Sequence, residues 1–214
     1  MKRDDLIIVR GGGDLATGTI HRLWAAGLRV LVLEIENPAA IRRQVALCEA
    51  VYTKTTEVEG LRAVRIDRYE EAEAVWQENS VPILIDPKGV SIGALKPAVV
   101  IDAILAKRNL GTHMTDAPFV IGVGPGFTAG EDCHCVVETK RGHYLGRCIW
   151  KGSAIPNTGI PGLIGGYGLE RLIKAPADGT FRGCVEIGAQ VKAGDIVGYV
   201  DETPVKVQID GVLR

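Results

Sequence analysis

Leu6-Ile-Ile-Val-Arg10-Gly11-Gly12-Gly13-Asp14-Leu15-Ala16-Thr-Gly18 sets a short aliphatic run directly before three glycines and then opens a helical pattern. Apolar residues recur at Leu15, Ile20, Leu23 and Trp24 before Gly27 stops the run, so Asp14 to Ala26 reads as a helix. The order is strand, loop, helix. The glycine spacing fits G-x-G-x-x-G/A, with Ala16 in the third position and Gly18 as a further small residue. Gly11 allows a tight turn out of the strand, Gly13 lets backbone approach a pyrophosphate, and Ala16 permits close helix-to-strand packing, with Gly12 a further cofactor-binding candidate in the loop. The helix-start amides around Asp14 and Leu15 then attract phosphate. Glu34 falls roughly twenty residues later, at the end of the next aliphatic run, where an acid binds a ribose 2′-OH. That favours NAD or FAD over NADP, whose 2′-phosphate the carboxylate would repel. The bland alternative is a plain turn with Glu34 and Glu36 solvated. Asp14 would repel phosphate unless it pointed away, so it is read as a helix cap.

Outward from this stretch, Arg29 to Glu36 is nearly all aliphatic, as expected of a parallel strand covered on both faces. Pro38 to Ala46 reads as helical, Ala63 to Ile66 as a strand, Tyr69 to Asn79 as a helix and Val81 to Asp86 as a strand. Val99 to Leu105 is the last buried run of this kind. Lys107, Arg108 and Asn109 leave its carboxyl end, where open α/β sheets bind ligands; an ordinary surface Lys-Arg pair is the alternative. The expectation is an α/β chain: a Rossmann-like parallel sheet over residues 1–112, with a boundary near Thr112, then a mostly-β region over 113–214. In that region Phe119 to Val123 reads as a strand, and Cys133 to Thr139 with His143 to Trp150 as a hairpin around Lys140-Arg141-Gly142. From Ala175 onward short strands and sharp turns suggest a half-barrel resembling biotinyl or lipoyl carriers. Lys206 occupies the carrier-lysine position, but the flanking methionines of biotin carriers are absent, so no modification is expected. One more strand is expected beyond Arg214, in a longer native C-terminus.

The 214 residues are 46% hydrophobic, enough for a real core, with a net charge of -1 and 5% aromatic content. This balance argues against nucleic acid and for a small-molecule or protein partner. Met1-Lys2-Arg3-Asp4-Asp5 lacks the features of a signal peptide, and no run approaches a membrane span. The five cysteines are odd in number and read as reduced thiols of a cytoplasmic protein. Cys133-His134-Cys135 with His143 and Cys148 invites a zinc reading, but on a strand His134 faces away from both cysteines, and ordinary packing is preferred. No metal is expected. Gly122-Val-Gly124-Pro-Gly126 follows a strand, yet Pro125 and the lack of a following helix make it a shaped turn rather than a second dinucleotide loop. With the loop holding Asn157, Gly124 and Gly126 are candidate linings of a cleft.

Taken in order, Val9 to Gly18, Val100 to Asn109, Ile121 to Gly130, Glu138 to His143 and Pro156 to Gly162 resemble the accessory proteins of selenium-dependent molybdenum hydroxylases. More distantly, the first part is similar to the Rossmann portion of xanthine dehydrogenase accessory proteins. The resemblance implies maturation of such hydroxylases, by handling the molybdenum cofactor or its labile selenium, with the apoenzyme or its cofactor machinery as partner. It adds His143 to the cleft candidates, admits a molybdopterin dinucleotide beside NAD and FAD, and leaves room for a homo-oligomer. Two further classes stay open. One is an NAD-dependent oxidoreductase acting on a small molecule, with His143 its best acid or base. The other is a non-enzymatic binding module with no nucleotide affinity.

Overall fold

Along β1 (Leu6–Arg10) and β2 (Arg29–Glu34) every second side chain turns to the same face, and both faces are covered. Ile7, Val9, Val30 and Val32 join one core cluster, while Ile8, Leu31 and Leu33 join another. A strand buried on both sides cannot alternate apolar with polar, which is why these runs are uniformly aliphatic. The computed structural model describes residues 5–214; the leader reading of Met1 to Asp4 lies outside the described residues.

The remaining elements of the first compact unit, Met1–Asn157, are α1 (Asp14–Ala25), α2 (Ala50–Thr53), β3 (Thr55–Val58), β4 (Leu61–Ile66), α3 (Ala72–Gln77), β5 (Val81–Ile85), α4 (Val90–Leu95), β6 (Val99–Asp102), β7 (Phe119–Val123), β8 (Thr128–Ala129), β9 (Cys135–Val137), β10 (Cys148–Ile149) and β11 (Gly152–Ser153). They build a nine-stranded sheet in the order β10-β9-β7-β6-β1-β2-β5-β4-β3, with β8 and β11 as a separate pair. Pairing is parallel from β4 across to β9, and only the edge strands β3 and β10 run antiparallel. Ala16 and Ile20 of α1, with Leu47 and Val51, cover one face. Ala72 and Val75 of α3, with Ile92 and Phe127, cover the other. The protein is therefore α/β with a large, mostly parallel central sheet.

The chain direction changes sides at β1, which lies between β2 and β6. That makes the carboxyl ends of β1 and β6 a topological switch point, the place where open α/β sheets take ligands.

Two expectations are corrected. Pro38 to Ala46 is not a helix; only Arg43–Val45 forms a single 3₁₀ turn. Residues 41–45 are exposed and bury no apolar stripe, and a short helix without packing is not stable. The boundary near Thr112 also falls inside the first unit, because β7, β9 and β10 extend the same sheet. The connection from β6 to β7 contains no helix, so the sequence pattern changes while the sheet continues.

The second compact unit, Thr158–Arg214, is described by itself. It holds β12 (Phe181–Gly183), β13 (Gln190–Val191), β14 (Ile196–Val200), β15 (Thr203–Lys206) and β16 (Gly211–Val212). They form the antiparallel groups β12-β14-β15 and β13-β16. Val191, Val197, Val200, Val205 and Val207 are its small core. No helix among the described residues is long and apolar enough to cross a membrane.

Candidate functional site

The glycine turn leaves β1 at that switch point, and each glycine there has its own steric reason. Gly11 has φ +92°, and a Cβ on it would stand 2.9 Å from the Ile104 Cα, so the turn can pass the chain leaving β6 only without a side chain. A Cβ on Gly12 would meet the Cys48 backbone nitrogen at 3.1 Å. That approach is held by a hydrogen bond from the Cys48 N–H to the Gly12 carbonyl, 2.9 Å. Gly13 differs, since a Cβ there would meet nothing within 4 Å. Its face is open.

Gly13 is the N-cap of α1 and no side chain caps the helix. The first helical hydrogen bond of the turn runs from the Thr17 N–H to the Gly13 carbonyl, 2.8 Å. The amides of Asp14, Leu15 and Ala16 therefore have no intrahelical acceptor. Asp14 is the first helical residue and not the cap; its carboxylate is ion-paired with Arg42, which offsets the negative charge it brings to the helix start. Thr17 instead anchors the turn, its hydroxyl donating to the Gly13 carbonyl at 2.9 Å and accepting from the Leu47 N–H at 3.0 Å. Ala16 is fully buried against the sheet, as close packing requires, whereas Leu15 and Gly18 are exposed.

Glu34, at the end of β2, reaches back to the turn. It accepts the Gly12 N–H at 2.7 Å and the Ile35 N–H at 2.8 Å, one on each oxygen. Burial raises its pKa above the ordinary glutamate value, and these two bonds act in the opposite direction. A carboxylate offers about four lone-pair sites, so roughly two stay available to a hydroxyl donor. Burial, together with the neighbouring Glu34 charge, also pushes the Cys48 thiol up to about 12, which keeps it protonated and unreactive at neutral pH.

Behind the turn lies a buried polar network that sequence reading missed. Arg10 ends β1 and Asp102 ends β6, 2% and 1% exposed respectively, with their side chains 3.5 Å apart. The fully buried Thr112 hydroxyl accepts from the Arg10 guanidinium and donates to Asp102 at 2.6 Å. Asp102 also accepts the Ile104 N–H at 3.1 Å. The available signal was a charged residue ending each of two otherwise aliphatic strands. Asn109 extends the network: its amide donates to the Thr112 carbonyl and to Asp132, while its carbonyl oxygen accepts the Gly111 and Thr112 amides. Its polar atoms thus shape the loop. Lys107 is exposed with φ +62°.

Gly124 and Gly126 sit beside that loop. A Cβ on Gly126 would lie 2.5 Å from the Arg108 nitrogen, and one on Gly124 would lie 2.9 Å from both Leu105 Cδ2 and Thr139 Oγ1. These glycines admit the 105–108 backbone and side chains, and their contacts are filled by protein. His143 is exposed in the β9–β10 loop and packs edge-on to Tyr144, with ring centroids 5.1 Å apart. Asn157 is an exposed residue at the end of the first unit. Cys133 and Cys135 are buried on the sheet, and His134 Nδ1 accepts the Val120 N–H at 3.0 Å. The structure therefore brings together Gly11 to Ala16 with Glu34, and Lys107 with Gly126; Asn109 is joined to Thr112 and Asp132, and His143 and Asn157 belong to neither group.

Against known proteins, the chain is 44% identical over 209 residues to "Uncharacterized protein YqeB" of Escherichia coli (strain K12). The alignment covers 98% of this chain and 39% of that relative, so the chain spans about two fifths of the relative's length. No family model matches the chain. No solved structure matches it.

Proposed function

We propose that this chain binds a nucleotide-containing cofactor at the carboxyl ends of β1 and β6 and serves as an accessory factor in maturing selenium-dependent molybdenum hydroxylases. The observation that carries the reading is convergence. Three of the five sequence blocks of the resemblance meet at one place, where Gly11 abuts Ile104 and Gly126 abuts Arg108. Separate stretches converging at the ends of neighbouring strands is what a ligand site built from loops at strand carboxyl ends requires.

On this reading the first part of the chain is Rossmann-like and the second unit a carrier-like half-barrel without a modified lysine. The open Gly13 and the spare lone pairs of Glu34 fit a diphosphate and a ribose. The amides of Asp14 and Leu15 would face the phosphates, with Arg42 neutralising the Asp14 carboxylate beside them. Glu34 would hold a ribose hydroxyl while keeping the turn in shape through the Gly12 amide. NAD, FAD and a molybdopterin dinucleotide share these two groups. The residues at the turn position and bind. The hydroxylase apoenzyme or its cofactor machinery is the partner, in the cytoplasm.

Calorimetric titration with NAD, FAD, ATP and a molybdopterin dinucleotide tests the binding. We expect one dinucleotide to bind and Glu34→Arg to weaken it by about tenfold or more, a change of roughly 1.4 kcal/mol. Absence of binding by all four ligands, or affinity untouched by Glu34→Arg, overturns the site. Deletion of the gene tests the role: hydroxylase protein should still be made but be inactive, and full activity in the deletant overturns it.

A further inference from the structure

A second site lies away from the glycine turn, on the antiparallel edge of the sheet. The β9–β10 loop and the residues after β10 enclose an open cleft of about 450 Å³, within the volume range of small-molecule sites. Its walls carry two large rings, Tyr144 at 50% and Trp150 at 65% exposure. The Arg147 guanidinium lies over the Tyr144 ring, 5.5 Å from its centroid, and Lys151 lines the same cleft. Residues 139–151 contain Lys140, Arg141, Arg147 and Lys151 and no Asp or Glu, in a chain whose net charge is -1. One carboxylate does line the cleft, that of Glu138, but it is buried. Its oxygens accept the Lys140 N–H at 2.7 Å and the Ile155 N–H at 2.8 Å. Its charge is engaged by the protein, and the outer wall remains cationic.

Rings offer a stacking face of the kind that nucleobases occupy, and two cations a short reach away suit a phosphate or carboxylate. We propose that this cleft binds a small planar aromatic anion of the nucleotide class, stacked on Trp150 beside Tyr144 with its charge on Arg147 and Lys151. The site is independent of the glycine turn.

Cys148 is exposed and lines the cleft, its side chain beside that of Cys135, and it reports on the cleft locally. The test is the rate of Cys148 alkylation by iodoacetamide, read by peptide mass, in the full chain with adenosine 5′-monophosphate, adenosine, inorganic phosphate or a short single-stranded oligothymidylate. We expect the mononucleotide to slow alkylation by about fivefold or more, with adenosine and phosphate about tenfold weaker, and Trp150→Ala or the Arg147→Ala/Lys151→Ala pair to lose the protection. Unchanged alkylation at millimolar mononucleotide overturns the proposal. Equal protection by adenosine, equal protection by phosphate, or undiminished protection in the variants does the same. Tighter protection by the oligonucleotide points to a single-strand-binding surface and also overturns it. Should the double variant fail to fold, the ranking of the four ligands on the unaltered chain still decides.

Discussion

Gly11-Gly12-Gly13 and Gly122-Val-Gly124-Pro-Gly126 are two glycine-rich turns at the same edge of one parallel sheet, yet their glycines serve opposite ends. In the second turn the space a side chain would fill is occupied by other protein, 2.5 Å away at Gly126. In the first turn Gly11 and Gly12 are likewise enclosed, but Gly13 opens on empty space at the start of a 12-residue helix. Glycine is needed in one case so that chain can pass chain. In the other its missing side chain leaves room for something else. Only the surroundings separate the two uses, since the residue type is the same.

The sharpest test of this contrast is Gly126→Ala. It forces an L-residue to φ +112° and drives a methyl into the Arg108 backbone, so a loss of about 3 kcal/mol or more is expected in chemical denaturation. A variant as stable as the parent would show that the second turn is not packed as described.

Asp102→Asn comes next. It leaves the buried Arg10 without a charged partner and should cost about 3 kcal/mol. Loosening of both turns is the expected consequence, because the network joins the ends of β1 and β6 to the loop that fills Gly126. Proteolysis between Leu105 and Thr112 in the variant, at protease levels that spare the parent, is the readout.

Gly13→Ala should change stability by about 1 kcal/mol or less, since its φ of -65° suits any residue and its Cβ meets nothing. It should nevertheless weaken dinucleotide binding. A large loss of stability with unchanged binding would reverse the roles assigned to the two turns.

The smallest effects lie in pH dependence, where a carboxylate beside each turn has the opposite sign. Burial sets the folded pKa of Glu34 above its ordinary 4.5. Its contribution to stability is then complete below that value and is lost as pH rises through the raised folded one. Backbone amides at Ile155, Lys140 and Thr139 hold Glu138 below 4.5 against the effect of burial. Its contribution is present above the ordinary value and lost as pH falls through the lowered one. In denaturation series over about pH 3 to 7, the parent's advantage over Glu34→Gln should shrink with rising pH, and its advantage over Glu138→Gln should shrink with falling pH. Equal slopes for the pair would remove the distinction.

Local pattern made much of the sheet legible. The aliphatic runs at Leu6, Arg29, Val81, Val99 and Phe119 all became strands, because burial on both faces demands continuous hydrophobicity. The helix after Gly13 was equally legible from its apolar stripe. The strand Thr55–Val58 went unseen because it lies at the sheet edge with polar side chains exposed, and α4 (Val90–Leu95) because one turn and a half gives no period to read. Of the candidate site, the glycines and Glu34 were legible by spacing. Arg42, Cys48 and Thr112 were not, since each reaches the turn or its buried network through a distant loop.

What the sequence determined alone is the α/β alternation and the glycine spacing of the first turn, both of which follow from residue type and short-range spacing. The tertiary structure decided that the sheet runs on past Thr112 to β10, that Glu34 braces Gly12, and that Gly126 is filled while Gly13 is open. Each of those depends on what packs against a residue from far along the chain, and steric fill and hydrogen-bond partnership have no period in sequence.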